Sequence, residues 1–164
     1  MTEPTNFTIR TATEADVSVL LRMIRALADY EKLSHEVVAT EAALRDSLFG
    51  PQPVAEAVLG YSGLEPVAFA VFFRTFSTFL GTPSLYLEDL FVEPPWRGRG
   101  LGRRLLAHVA GAALERGCNR LEWAVLDWNE AAIRFYRSLG AEPREAWTVY
   151  RLGTAELRRV AGQA

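Results

Sequence analysis

The stretch Glu93-Pro94-Pro95-Trp96-Arg97-Gly98-Arg99-Gly100-Leu101-Gly102-Arg103-Arg104 holds the residue types that grip a polyanion. Gly98, Gly100 and Gly102 stand at alternate positions, where missing side chains let the backbone approach a ligand and take positive φ. Apolar sequence of strand type precedes the stretch and an amphipathic run follows it. The first turn of the helix so predicted offers free N–H groups and the positive end of its dipole, a cradle for phosphate. Arg97, Arg99, Arg103 and Arg104 add charge around it. A dinucleotide fingerprint would need glycine where Arg103 stands, and a P-loop would need Gly-Lys-Ser/Thr, which is absent. A solvated Gly/Arg turn is the plainer alternative, but strand, glycines and helix start coincide here. A second place for chemistry is Glu88-Asp89, adjacent acids near a strand's end that would attract a cation and accept its proton. Taken by themselves, they read equally well as solvated charges.

Other chemistries find little support. Cys118 is the single cysteine, so no internal disulfide or thiolate cluster is expected, and it reads as a small buried hydrophobe. His35 and His108 are isolated, and no metal site is predicted. A net charge of −2 does not recommend nucleic acid or an anionic membrane as partner. The polar, acidic start is unlike a signal peptide, and no apolar run approaches the roughly 20 residues that span a bilayer. A cytoplasmic protein is expected, with residues 1–164 forming one domain.

The elements that must position these residues follow from periodicity. Phe7–Arg10 alternates as a half-buried strand does. Thr13 and Asp16 resemble a capping box opening a helix with Val17, Leu20, Leu21, Ile24 and Leu27 on its apolar face. Thr40 is expected to cap a helix over Glu41–Phe49. Strands are predicted at Ala55–Tyr61, Pro66–Thr75 and Leu85–Val92, the first two joined through Ser62-Gly63. A helix over Leu101–Arg116 ends at Gly117, a strand covers Arg120–Leu126, and a helix covers Asn129–Leu139 with Gly140 as its cap. Trp147–Leu152 reads as a last strand before a short helix from Thr154. The order β-α-α-β-β-β-α-β-α-β implies an α/β (α+β) fold, a mixed sheet with helices on both faces.

Arg97, Gly100 and Gly102, after a strand and before a helix, match Arg/Gln-x-x-Gly-x-Gly/Ala, and here the chain resembles the GNAT superfamily of N-acetyltransferases. The element order agrees over nearly the whole chain, and the resemblance implies a mostly antiparallel sheet and acetyl-CoA as co-substrate. Ala28-Asp29-Tyr30-Glu31, Leu85 to Val92, Ala124 to Glu130 and Arg134 to Gly140 look like the diamine (spermidine/spermine) and thialysine acetyltransferase branch. By that resemblance Leu90, Phe91 and Val92 pair with the pantetheine arm. Gly98, Arg99, Gly100, Leu101, Gly102 and Arg103 hold the pyrophosphate, and Asn129, Glu130, Ala131 and Ala132 contact CoA further along. Tyr136 matches the general acid; Tyr30, Glu31 and Glu88 match amine-binding positions, and Glu122, Trp123 and Ala124 line the same cleft. A homodimer is also implied.

The chemistry agrees. A lysine-like ammonium, with pKa near about 10.4, must lose a proton before attacking a thioester. Glu88 or Asp89 would accept it, directly or through water, a backbone N–H near Leu90 or Phe91 would meet the developing oxyanion, and Tyr136 would protonate the departing thiolate. Polyamine-acting members often carry an acid and a tryptophan where this chain has Arg74 to Gly81, which turns the reading from spermine toward a short diamine or thialysine. Arg74 is a candidate there for a substrate carboxylate. Two other readings are a protein or peptide N-acetyltransferase and a catalytically silent acetyl-CoA-binding module.

Overall fold

A computed structural model describes residues 6–163. The chain divides into two compact units, one reaching to Ala124 and one from Val125 onward. The first holds β1 (Phe7–Thr11), α1 (Val17–Tyr30), α2 (Glu41–Phe49), β2 (Glu56–Ser62), β3 (Glu65–Ser77), β4 (Thr82–Val92), α3 (Leu101–Glu115) and β5 (Leu121–Glu122). The second holds α4 (Glu130–Arg137) and α5 (Thr154–Val160).

The strands form one sheet in sequence order, with β1 to β4 antiparallel and β5 parallel to β4. A parallel neighbour needs a crossover, and α3 supplies it. β3 is buried continuously from Val67 to Phe72, so both faces of the sheet are covered. On one face, Leu59, Phe69, Val71 and Phe91 form a core with Leu20 and Met23 of α1. The alternate residues serve the other face. There Arg116, just past α3, forms an ion pair with Glu56 of β2, and its guanidinium lies 5.7 Å from the Phe72 ring centre.

The mixed, mostly antiparallel sheet with helices on both faces is as expected, and most boundaries fall close to the predicted ones. Thr40 caps α2, its hydroxyl accepting from the Ala43 N–H at 3.2 Å. Cys118 is buried as a small hydrophobe. Two expectations need correction. The strand predicted over Arg120–Leu126 pairs only at Leu121 and Glu122. The strand predicted over Trp147–Leu152 is irregular chain, with Trp147, Val149 and Tyr150 exposed. Alternating apolar residues make a strand only beside a ladder partner, and no described strand pairs with this segment. Among the described residues, no helix is long and apolar enough to cross a membrane.

Candidate active site

β4 carries the acids, and an irregularity in its pairing decides how they are presented. Asp89 lies opposite Val71 and Leu87 opposite Phe72, leaving Glu88 as an extra residue in β4. In a regular strand, adjacent side chains point to opposite faces. A bulge breaks that alternation and re-aims a side chain. Asp89 shares its face with Val71, the face covered by α1. Glu88 is exposed, and its charge acts on both Asp89 and Tyr86.

The end of α1 meets this face. Leu33 N–H returns to the Ala28 carbonyl at 2.8 Å and Lys32 N–H to that of Asp29 at 3.1 Å, the two bonds of a Schellman ending. Lys32 takes the left-handed φ of 62° that such an ending demands. The turn fixes Tyr30, which packs against the core under α1, and Glu31 beside it.

The result is a partly desolvated set of acids. Burial raises Asp89 to a pKa of about 7, and the charges of Glu88 and Glu31 push the same way. Burial also raises Glu31. A carboxyl group near neutrality can hold or release a proton at physiological pH, as a general base must. Tyr86 borders the same group. Its hydroxyl is raised by burial, then by Glu88 and Glu122. Its ring lies 5.4 Å from that of Phe73. Sequence reasoning did not single out Tyr86 as a site residue. Its face is set by the register ahead of the bulge, which no sequence pattern reveals. The same register puts Arg74, which is exposed, on the sheet face away from Val71 and Asp89.

β5 leaves β4 early. Their pairing consists of Leu85 with Leu121 and Tyr86 with Glu122. From Leu87 to Val92 no described strand pairs along this edge, so backbone groups of Leu90, Phe91 and Val92 can meet an extended ligand as an added strand would. Glu122 also forms an ion pair with Arg120 at 3.0 Å, and Trp123 and Ala124 continue beyond the paired segment.

The glycine loop lies just past β4. Gly98 and Gly100 take φ of 71° and 77°, left-handed values unfavourable to residues with a Cβ. Gly100 is the N-cap of α3, and the first-turn amides of Leu101, Gly102 and Arg103 face outward from the helix start. The four arginines divide. Arg103 is exposed, and Arg99 lies 5.0 Å from the Trp96 ring centre within the loop. Arg104 donates to the Phe7 carbonyl at 2.8 Å. The Arg97 guanidinium lies over the Tyr30 ring at 4.2 Å, and its Nε donates to the Val92 carbonyl at 2.8 Å.

The first unit therefore brings together Tyr30, Glu31, Glu88, Asp89 and the start of the loop. In the second unit, the Asn129 Oδ1 accepts from the Ala132 N–H at 3.2 Å and caps α4. Glu130 forms an ion pair with Arg134 at 3.1 Å, and Ala131 is exposed in the first turn. Tyr136 stands on the same helix, its ring 5.2 Å from that of Phe135. A cavity of about 390 Å³ lies elsewhere in the first unit, between β2, β3 and α3, lined by Glu56, Val58, Phe72, His108 and Arg116. It lacks the acids and the loop. Among the described residues, no group of three His, Cys, Asp or Glu side chains could hold a metal ion.

Known proteins resemble this chain in sequence and in fold. The profile of the Acetyltransferase (GNAT) family matches residues 22–141. The chain is 41% identical to thialysine N-epsilon-acetyltransferase of Bos taurus, over 94% of this chain and 97% of that protein. It is 29% identical to L-ornithine N5-acetyltransferase of Arabidopsis thaliana, over 88% of this chain and 83% of that protein. Among solved structures, an integron cassette protein from Vibrio cholerae superposes with a TM-score of 0.80 at 25% identity, covering 96% of this chain and 98% of its own.

Proposed function

The chain belongs to the acetyltransferase (GNAT) family and is an N-acetyltransferase, and we propose that its acceptor is the distal primary amine of a thialysine-like amino acid or a short diamine. The observation that carries this is Asp89, held near neutrality at a strand bulge beside Glu88 and Glu31. The names of the relatives support it, since thialysine and ornithine are both amino acids with a primary amine at the far end of a short chain.

Acetyl-CoA supplies an activated thioester. The residues of this chain do the rest. The loop from Gly98 to Arg103 holds the pyrophosphate through amides at the α3 start, and Arg99 and Arg103 add charge. Backbone groups of Leu90 to Val92 hold the pantetheine arm on the open edge of β4. Asn129, Glu130, Ala131 and Ala132, which open α4, contact CoA further along. Glu31 and Glu88 attract the ammonium, with Tyr30, Glu122, Trp123 and Ala124 shaping the approach. Asp89 takes its proton, directly or through a water. The amide N–H of Leu90 or Phe91 faces the charge developing on the carbonyl oxygen. Tyr136 gives its hydroxyl proton to the leaving thiolate. No enzyme nucleophile is required. We also propose that the whole chain acts as one catalytic domain without a metal, in the cytoplasm, and that it forms a homodimer. A monomer by light scattering at micromolar concentration would overturn the dimer.

The test is CoA thiol release across thialysine, lysine, ornithine, putrescine, spermidine, spermine and N-terminal peptides. Saturable activity greatest on thialysine, ornithine or a short diamine is expected. Greater activity on peptides would assign a protein acetyltransferase, and acetyl-CoA binding with no turnover on any amine would favour the silent module.

A further inference from the structure

We infer that Arg97 is a positioning residue that braces the pyrophosphate loop against the amine side of the site, an inference that rests on the acetyltransferase reading above. Its guanidinium lies 4.2 Å from the Tyr30 ring centre and 5.4 Å from that of Phe91, while its Nε donates to the Val92 carbonyl at 2.8 Å. These partners come from two elements, the end of α1 and the end of β4, and Arg97 itself starts the glycine loop. A guanidinium is suited to the junction because it donates in its plane and stacks through its faces, which an ammonium cannot do together. Two neighbouring arginines turn elsewhere, Arg99 to Trp96 and Arg104 to Phe7. A neighbouring bridge, Arg22 of α1 to Glu93 at 2.8 Å, ties α1 to the chain just past β4 as well.

Tyr30 directly precedes Glu31, whose charge acts on Asp89. Movement at the loop is thus passed through one side chain to the acids, and by linkage the coupling must run both ways. Tyr30→Leu removes the ring under Arg97 and weakens acetyl-CoA binding, though Tyr30 lies on the amine side. Arg97→Gln raises the amine KM as well as the acetyl-CoA Kd. Each shift is roughly threefold to thirtyfold, the range spanned by stacked cation–ring contacts. The two changes together do no more than the larger single one. Tyr30→Phe, which keeps the ring, restores acetyl-CoA affinity.

Calorimetry gives the acetyl-CoA Kd, and initial rates at saturating acetyl-CoA give the amine KM. Melting curves establish that each variant is folded. If Arg97→Gln does not fold, Arg97→Lys replaces it, since lysine keeps the charge without the stacked, in-plane geometry. Non-additive losses with rescue by Tyr30→Phe are the expected result. Additive losses, or a Tyr30→Leu variant with the wild-type acetyl-CoA Kd, would overturn the brace. Wild-type protein that binds no acetyl-CoA would overturn the acetyltransferase reading and the brace with it, an outcome separate from the other two.

Discussion

Replacing Asp89 with Asn should abolish most turnover and yet stabilise the fold, by an amount that depends on pH. The carboxyl is raised from its ordinary value to about 7, first by burial and then by Glu88 and Glu31. Between pH 4 and 7 the folded protein keeps this proton while the unfolded chain has released it. Stability therefore falls through that window and levels off above about pH 7. Three units correspond to roughly 4 kcal/mol at about 1.4 kcal/mol per unit. Asp89 is only partly buried, so solvent screening reduces that to about 2 kcal/mol. For a chain of this size, 2 kcal/mol moves Tm by about 4–8 °C. Asparagine has nothing to titrate, so the Tm advantage of Asp89→Asn grows from near zero at pH 4 to its full size at pH 7 and stays constant at pH 8. The same ionisation governs catalysis. Wild-type kcat/KM rises about tenfold per pH unit below pH 7 and then bends, while Asp89→Asn loses about 10²–10⁴-fold. Differential scanning fluorimetry from pH 4 to 8 and thiol-release rates from pH 5.5 to 8.5 measure both. A Tm difference independent of pH, or a kinetic profile with no bend near pH 7 between pH 5.5 and 8.5, would refute the assignment of Asp89 as a raised base.

Tyr136→Phe should lower kcat far more than it changes acetyl-CoA affinity, and unchanged turnover would remove Tyr136 as the required acid. Gly100→Val puts a β-branched residue at φ 77° on the N-cap of α3; acetyl-CoA binding should be lost in calorimetry while far-ultraviolet circular dichroism stays native. Asp16 is held well below the usual carboxylate range, chiefly by its bidentate bond to Arg10 and then, against desolvation, by Thr13. Its contribution is fully present above about pH 4 and is lost only as pH falls on through the depressed folded value, so Asp16→Asn should destabilise by about 2 kcal/mol at pH 7, keep much of that cost at pH 3 and lose it only on stronger acidification in urea unfolding.

The loop was legible because its signal is local. Glycines that need positive φ, arginines and a helix start lie within a dozen residues, and physical chemistry at that range depends on no distant partner. The acids at Glu88 and Asp89 were legible as residue types, but their presentation was not. Whether adjacent strand residues face opposite sides or share a site depends on a bulge, fixed here by which residues of β3 they meet. Arg97 shows the same limit. Its motif position suggests a loop cation, whereas its stacking on Tyr30 requires the α1 ending to arrive beside β4. Trp147–Leu152 failed in the opposite sense: its alternation is local, but a strand is a relation between two segments.

A partly buried acid near pH 7 also changes the account of how the amine is bound. Below that pH Asp89 is largely protonated, which limits the repulsion among Asp89, Glu88 and Glu31 while the site is empty. An arriving ammonium favours the ionised form of the same carboxyl, since an opposite charge within a few ångströms lowers its pKa. Binding of the cation should therefore expel a proton from Asp89 to solvent and create the base that the reaction needs. At pH 6.5, titration of thialysine into the enzyme in buffers of different ionisation enthalpy should show net release of up to one proton, declining toward zero by pH 8.5. Asp89→Asn should remove that release. Uptake of a proton on binding, or release that persists in Asp89→Asn, would mean that the amine enters neutral or that another group titrates, and substrate-induced ionisation of Asp89 would have to be abandoned.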